Sequence, residues 1–155
     1  FGFSTSSSAA TLPLNIKVCE EEFGVDESIA SFVLPLGMTI NMDGTAIMQV
    51  IATVFIAGCA GYTVTPGQLV VVALLALLAS VGTPAAPGAG AVILFTILSG
   101  VGIVNDMALL AYSLILAINR PIEMLVTSLN VVGDAVASIC VAKSEGLLNE
   151  ETFNK

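Results

Sequence analysis

The chain has 155 residues, of which 56% are apolar and 10% are charged, and its net charge at pH 7 is −8. A soluble domain is roughly 45–50% apolar and about 25% charged, so this composition predicts a membrane protein. The acidic balance excludes a nucleic-acid-binding surface. The absence of His excludes imidazole as a metal ligand or a general base.

The chain begins Phe1-Gly2-Phe3, without an initiator Met or a basic leader. We therefore expect no signal peptide, and we expect the C-terminal piece of a longer polypeptide. The three cysteines, Cys19, Cys59 and Cys140, are widely spaced. This spacing favours small buried thiols over a disulfide framework.

The first half of the chain contains one long apolar segment with an interruption. Residues 4–11 are small and hydroxylic, and an amphipathic stretch runs from Pro13 to about Glu22. An acidic connection follows, in which Asp26 or Ser28 is expected to cap the next helix. Residues 29–60 are then apolar except at 37–45, and the two flanking pieces are each too short to span a bilayer. The pattern predicts one membrane helix that is broken in its middle.

The second half of the chain also contains apolar segments that are interrupted and too short to span a bilayer. After the turn Thr65-Pro66-Gly67, two apolar arms at 68–79 and 91–98 flank a tip rich in Gly and Pro. Arms of this length predict a re-entrant hairpin. The last span begins at 107–118, is expected to be interrupted at Pro121, and resumes through Val141 before the polar tail 143–155. Mid-membrane breaks in two segments indicate a transporter binding site.

Five polar residues of the last span fall within an arc of about 80° on a helical wheel: Asn119, Glu123, Thr127, Asn130 and Asp134. This polar stripe must face protein or water; a seam between helices is the simpler alternative. Intramembrane carboxylates cost at least about 2.5 kcal/mol each. Arg120 alone cannot neutralise Asp43, Glu123 and Asp134, so we expect a cation from outside the chain.

Two further runs of polar residues could bind small ions or polar ligands. The run Asn41-Met42-Asp43-Gly44-Thr45 supplies carbonyl and side-chain oxygens at a helix break, which suits a small, hard cation. A glycine kink with a capping Asp is the alternative for this run. The run Ser6-Ser7-Ser8 precedes a helix, where hydroxyls and free N–H groups favour a carboxylate.

These motifs together resemble the dicarboxylate/amino acid:cation symporter family, the glutamate and neutral amino acid transporters. The resemblance rests on the segments 6–13, 34–37, 41–45, 82–90 and 130–134. It implies an all-α membrane protein with two re-entrant hairpins and two broken transmembrane helices, which belong to a transport domain. The implied divisions are the end of the first re-entrant hairpin at 1–24, the broken helix at 28–61, the second hairpin at 67–104, the last helix at 105–143 and a polar tail at 144–155. The N-terminal scaffold helices, which would make a homotrimer, are expected to be absent from this chain.

The resemblance also implies positions for ligands. One sodium site would use Gly37, Asn41, Asn130 and Asp134. A second would use Thr39, Met42, Ser80, Val81 and Thr83, and a third would use Asn41 and Asp43 with residues that lie outside this chain. The implied substrate residues are Ser7, Ser8, Thr45, Ala86, Pro87, Gly90, Glu123, Val126, Thr127 and Asn130.

The expected function is sodium-coupled symport of an amino acid by alternating access across the plasma membrane, without enzymatic activity or an organic cofactor. Several positions depart from the family pattern: Glu123 replaces an Asp, Asn119 replaces an acidic residue, and Pro84 and Ala85 change the hairpin tip. Val126 stands where dicarboxylate carriers have an Arg, so a neutral substrate is expected in preference to a dicarboxylic one.

The alternatives are a proton- or sodium-dependent glutamate, aspartate or C4-dicarboxylate symporter and, in another class, an ion channel or a structural membrane subunit. Arg120 favours the dicarboxylate alternative if its side chain can reach the second carboxylate of the substrate. The lipid bilayer is the other expected partner.

Overall fold

The computed structural model describes all 155 residues as a bundle of nine α-helices without a β-sheet. The helices are α1 (Gly2–Thr5), α2 (Ser8–Glu21), α3 (Glu27–Ile40), α4 (Asp43–Cys59), α5 (Pro66–Val81), α6 (Ala89–Gly100), α7 (Asp106–Ile118), α8 (Arg120–Ser144) and α9 (Glu150–Phe153). One isolated antiparallel bridge pairs Val25 with Leu148. The expected all-α class is confirmed.

Helices α3 and α4 form the broken helix that the sequence predicts. Asn41 (φ −85°, ψ 80°) and Met42 (φ −115°, ψ 42°) leave the helical conformation between them. The break exposes N–H groups in the first turn of α4, and Asn130 of α8 accepts one of them, from Gly44, at 2.9 Å. A side chain of another helix therefore stabilises the break.

Side-chain caps set the starts of α2, α3, α5 and α7. Asp26, rather than Ser28, caps α3 and accepts a hydrogen bond from the Ser28 N–H at 2.9 Å. Hydrogen bonds from Ser28 lower the pKa of the Asp26 carboxyl group from its usual value. Thr65 and Gln68 form a capping box before α5, and Asn105 caps α7.

Helix α2 begins at Ser8 and is capped by Ser7, in agreement with a serine run at a helix start. Pro13 lies inside this helix, where it removes only one helical hydrogen bond. One expectation about proline was wrong. The last span is interrupted at Asn119, and Pro121 lies in the first turn of α8. A proline there costs little, since the N–H groups of a first turn have no helical partner.

Helices α4 and α8 form the centre of the bundle. Helix α8 contacts α1, α2, α3 and α4, whereas α4 contacts α5, α6 and α7 as well. Gly44 allows α4 to approach α8 closely, since a Cβ atom there would lie 2.8 Å from the Val126 carbonyl oxygen. One apolar core gathers residues of α4, α6 and α7 around Ile56 and Leu94. A second joins α2, α3 and α8 around Leu34.

Two segments, Glu27–Cys59 and Arg120–Ser144, are long and apolar enough to cross a membrane. The outer faces of the later helices expose large apolar side chains, such as Leu78, Ile118 and Leu125, which are 72%, 67% and 63% exposed. Of the three free cysteines, Cys19 is buried as expected. Cys59 and Cys140 are exposed, contrary to the expectation, because they do not lie on the core-facing sides of their helices.

Candidate functional site

A small cavity lies where the hairpin tip, the helix break, the serine run and α8 meet. Its volume is about 30 Å³, which is room for one or two water molecules. Its lining comprises Ser6, Ser8, Met42, Thr45, Met48, Thr83, Pro84, Ala85, Ala86, Gly90, Glu123, Val126, Thr127 and Asn130. An amino acid can enter only if one of these segments moves.

The polar stripe of α8 forms one wall of this region. All five members are buried: Asn119, Glu123, Thr127, Asn130 and Asp134 are each 7% exposed or less. The prediction that the stripe faces protein rather than lipid is therefore confirmed. Its neighbours on the other face, Leu125 and Val132, are 63% and 60% exposed, so α8 separates an apolar face from a polar one.

Glu123 connects the stripe to the hairpin tip. Its Oε1 accepts a hydrogen bond from the Gly88 N–H at 2.7 Å. Its Oε2 lies 3.5 Å from Nη1 of Arg120, whose side chain is half-exposed. Gly88 has a left-handed φ of 87° and caps α6. Arg120 does not line the small cavity; it lines a neighbouring pocket with Pro87 and Gly88.

The serine run contacts the hairpin tip at Ala85. Ser7 Oγ donates to the Ala85 carbonyl oxygen at 2.9 Å, and the Ala9 N–H donates to the same oxygen at 3.3 Å. Ser6 adopts a left-handed φ of 51°, and its buried Oγ has no hydrogen-bond partner. Ser6 and Ser8 line the cavity, so the turn presents hydroxyl groups to it.

Four of the expected sodium ligands lie together beside the helix break. Asn41 Nδ2 donates to Asp134 Oδ1 at 3.0 Å and to the Asn130 carbonyl oxygen at 3.3 Å. Gly37 leaves space for the carboxylate, since a Cβ atom there would lie 2.6 Å from Asp134 Oδ1. One carboxylate with amide and backbone oxygens is a donor set that fits a small, hard cation such as Na⁺.

The other expected sodium ligands are more scattered. Met42 and Thr83 both line the cavity. Ser80 is buried and donates to the Leu77 carbonyl oxygen, whereas Thr39, Asp43 and Val81 are exposed. The structure gathers no three His, Cys, Asp or Glu side chains that could hold a metal ion.

Most of the expected substrate residues surround the cavity. Ser8, Thr45, Ala86, Gly90, Glu123, Val126, Thr127 and Asn130 line it. Ser7 lies behind the lining and holds Ala85, and Pro87 lines the neighbouring pocket instead. Met48, Pro84 and Ala85 were not among the residues predicted for the site, and Ser6 was predicted only as a member of the serine run. Two features of the sequence could have indicated these residues. Met48 lies one helical turn after Thr45, and Pro84 and Ala85 lie in the hairpin tip.

Comparison with known proteins identifies the chain's relatives. Residues 1–144 match the sodium:dicarboxylate symporter family. The human excitatory amino acid transporter 2 is 44% identical over 131 residues, which cover 84% of this chain and 22% of that protein. An excitatory amino acid transporter of Caenorhabditis elegans is 44% identical over 86% of this chain and 26% of its own length. Rat excitatory amino acid transporter 1 is 41% identical over 86% of this chain and 24% of its own length.

The chain spans about a quarter of the length of these relatives. The match to the family nevertheless extends from the serine run to the end of α8, so it includes every residue of the site described above. Both the family and these relatives are integral membrane transporters, not enzymes. The chain belongs to the sodium:dicarboxylate symporter family.

Proposed function

We propose that this chain forms the substrate- and sodium-binding part of a sodium-coupled amino acid symporter of the plasma membrane. The observation that carries the proposal is the buried stripe of α8, where Glu123 faces the hairpin tip and Asp134 faces the helix break. Two carboxylates held at separate points of one buried face suit two different cations, the ammonium group of an amino acid and Na⁺.

The fold proposal is a transport domain with two re-entrant hairpins and two broken transmembrane helices. Helices α5 and α6 have 16 and 12 residues. They are therefore about 24 and 18 Å long, which is less than the roughly 30 Å of a bilayer core. In this proposal the segments are 1–24, 28–61, 67–104, 105–143 and 144–155. A homotrimeric scaffold would come from parts of the protein outside this chain.

Residues beside the helix break would hold the coupling ions. Gly37, Asn41, Asn130 and Asp134 would form one site through carbonyl, amide and carboxylate oxygens, and sodium bound there would neutralise the Asp134 charge. A second site would involve Thr39, Met42, Ser80, Val81 and Thr83. Because Thr83 and Ser80 belong to the second hairpin, ion binding there would fix the hairpin in place. Asn41 and Asp43 would contribute to a third site.

Substrate binding follows from the polarity of the cavity walls. The ammonium group of an amino acid would pair with Glu123. The α-carboxylate of the same amino acid would accept hydrogen bonds from the hydroxyl and N–H groups of the serine run. Thr45, Thr127 and Asn130 would supply further hydrogen bonds. Because the cavity is smaller than an amino acid, the hairpin tip at 84–88 would open to admit the substrate and then close over it.

The names of the family and of its relatives favour a dicarboxylic amino acid over the neutral substrate expected from Val126. We therefore propose an acidic amino acid as the first candidate substrate. A neutral amino acid remains the second candidate for one reason: no Lys or Arg lines the cavity, and Val126 presents an aliphatic side chain there. An unpaired carboxylate in that position would cost several kcal/mol.

Uptake measurements on the full-length protein in proteoliposomes test this proposal. We expect accumulation of labelled amino acid only with an inward sodium gradient, and counterflow when unlabelled substrate is present inside. Solute flux without counterflow would indicate a channel, and no flux would contradict a transport function. Competition by aspartate and glutamate against alanine and serine distinguishes the two candidate substrates.

A further inference from the structure

We propose that Arg120 is an internal competitor for the substrate ammonium group and sets the affinity of the site. The proposal rests on the proposed function, in which Glu123 binds that ammonium group. Arg120 is one of only four basic residues in the chain, with Lys17, Lys143 and Lys155. It is the one basic residue that forms an ion pair with a buried carboxylate.

Both oxygens of Glu123 are already engaged in this structure. Oε1 accepts from the Gly88 N–H at 2.7 Å, and Oε2 lies 3.5 Å from the Arg120 guanidinium group. Glu123 is 7% exposed, so an ammonium group that arrives in the cavity must share or replace one of these partners. Arg120 is the partner that can leave, because its side chain is half-exposed and can turn into solvent.

The position of Arg120 supports competition rather than direct substrate contact. Arg120 lines a neighbouring pocket together with Gly88 and Glu123, whereas the cavity is lined by Glu123 but not by Arg120. The two cations would therefore approach the same carboxylate from two different pockets. By holding the Glu123 side chain in place, Arg120 also supports its hydrogen bond to Gly88, which keeps the tip closed before substrate binds.

The test compares Arg120→Gln and Arg120→Lys with the native full-length protein. Lys17→Gln is the matched control, since Lys17 forms an exposed i,i+4 pair with Glu21 at 3.8 Å, remote from the cavity. The first readout is the concentration of unlabelled L-glutamate or L-alanine that halves the sodium-dependent uptake of the labelled amino acid. For Arg120→Gln we expect tighter binding of the transported amino acid by about two- to fivefold, the range of a half-exposed ion pair. Arg120→Lys keeps the cation and should stay near the native affinity.

The second readout is the accessibility of the hairpin tip without sodium or amino acid. A cysteine introduced at Ala86, in a background with Cys59→Ser and Cys140→Ser in which Cys19 stays buried, should react faster with a polar maleimide in the Arg120→Gln variant. A merely damaged site would lose affinity, so a gain in affinity distinguishes competition from general disruption.

Three results would overturn the proposal: unchanged affinity, lower affinity for every ligand, or a loss confined to L-glutamate. The last would show that Arg120 binds the second carboxylate of the substrate. If the native protein shows no sodium-dependent uptake, the proposed function fails. The labelling rates then still decide whether Arg120 holds the tip closed.

Discussion

Asp134 is a carboxylate with 2% of its surface exposed, and its hydrogen-bond donor is the neutral amide of Asn41. No basic side chain pairs with it, since the only ion pairs in the structure are Lys17–Glu21 and Arg120–Glu123. A buried charge without a partner costs several kcal/mol. This single residue therefore argues more strongly for a bound cation than any other position in the chain.

Replacing Asp134 with Ala in the full-length protein should raise the half-saturating sodium concentration for uptake about tenfold or more, because the only buried carboxylate beside the break is lost. Asp43→Ala should raise it less, since Asp43 is exposed in the first turn of α4. Asp106→Ala is the control, because Asp106 is likewise an exposed carboxylate in a first helical turn. Native sodium dependence in both Asp134→Ala and Asp43→Ala would refute their assignment as sodium ligands.

Gly37 offers a second test of the same site without removing any oxygen ligand. An added Cβ would lie 2.6 Å from Asp134 Oδ1, so Gly37→Ala must displace the carboxylate. We expect sodium affinity to fall about tenfold, which is about 1.4 kcal/mol. Gly58→Ala is the matched control, because its Cβ would meet nothing within 4 Å. Equal sodium affinities in the two variants would show that ions do not bind beside Gly37.

At the scale of elements, the second hairpin is held to the bundle by few contacts at its tip. Ser7 of the serine run and Ala9 of α2 donate hydrogen bonds to the Ala85 carbonyl oxygen, and Glu123 accepts one from the Gly88 N–H. The two hydrogen bonds to the Ala85 carbonyl oxygen contribute about 0.5–1.5 kcal/mol each net, and the bond from Gly88 to the Glu123 carboxylate contributes about 1.5–3 kcal/mol. A tip joined by such bonds can open at modest cost, as a gate requires.

A cysteine at Ala85 or Ala86 should therefore react faster without substrate than with substrate and sodium. Removal of the Ser7 hydroxyl in Ser7→Ala should accelerate the substrate-free reaction further, because one contact to Ala85 is lost. Ser4→Ala is the comparison, since the Ser4 hydroxyl contacts only its own helix start. Stopped-flow labelling with a polar maleimide measures these rates. Substrate-independent rates would contradict gating at this tip.

The sequence predicted the helices better than it predicted where they are interrupted and which segments contact one another. Apolar length and clusters of Gly and Pro were sufficient for the broken helix and the paired arms of the hairpin. The contact between Ser7 and Ala85 was not predictable, because it depends on how distant segments approach one another. The interruption of the last span was predicted at Pro121 but lies two residues earlier, at Asn119, because a proline is tolerated in the first turn of a helix. The polar stripe was predictable, since helical periodicity alone places its members on one face.

At the scale of the whole molecule, this chain covers about a quarter of the length of its relatives. Alternating access requires one bundle to move against another. We therefore expect the 155-residue chain alone, reconstituted in proteoliposomes, to show no sodium-driven uptake. The full-length protein is the control. Uptake by the chain alone would refute the proposal that the scaffold needed for transport lies outside this chain.

The C-terminal tail packs against the turn between α2 and α3, outside the apolar segments. Asn149 N–H donates to the Gly24 carbonyl oxygen at 2.8 Å, and Asp26 N–H donates to the Leu147 carbonyl oxygen at 3.2 Å. Leu148 packs on the core between α2, α3 and α8. The tail therefore covers the turn that connects α2 to α3, although the sequence had indicated only a polar end.

Gly24 and Gly146 provide a matched pair that isolates this contact. Both have a left-handed φ, +69° and +70°, so alanine at either position is strained by a similar amount, about 1–2 kcal/mol. Only at Gly24 would the new Cβ meet the tail, at 2.7 Å from the Asn149 carbonyl oxygen, whereas nothing lies within 4 Å at Gly146. Gly24→Ala should therefore lower the melting temperature of the detergent-solubilised protein more than Gly146→Ala. It should also speed proteolysis of residues 147–155, because the tail is displaced from the turn. Equal melting temperatures and equal cleavage rates in the two variants would show that the tail contributes nothing to the stability of the bundle.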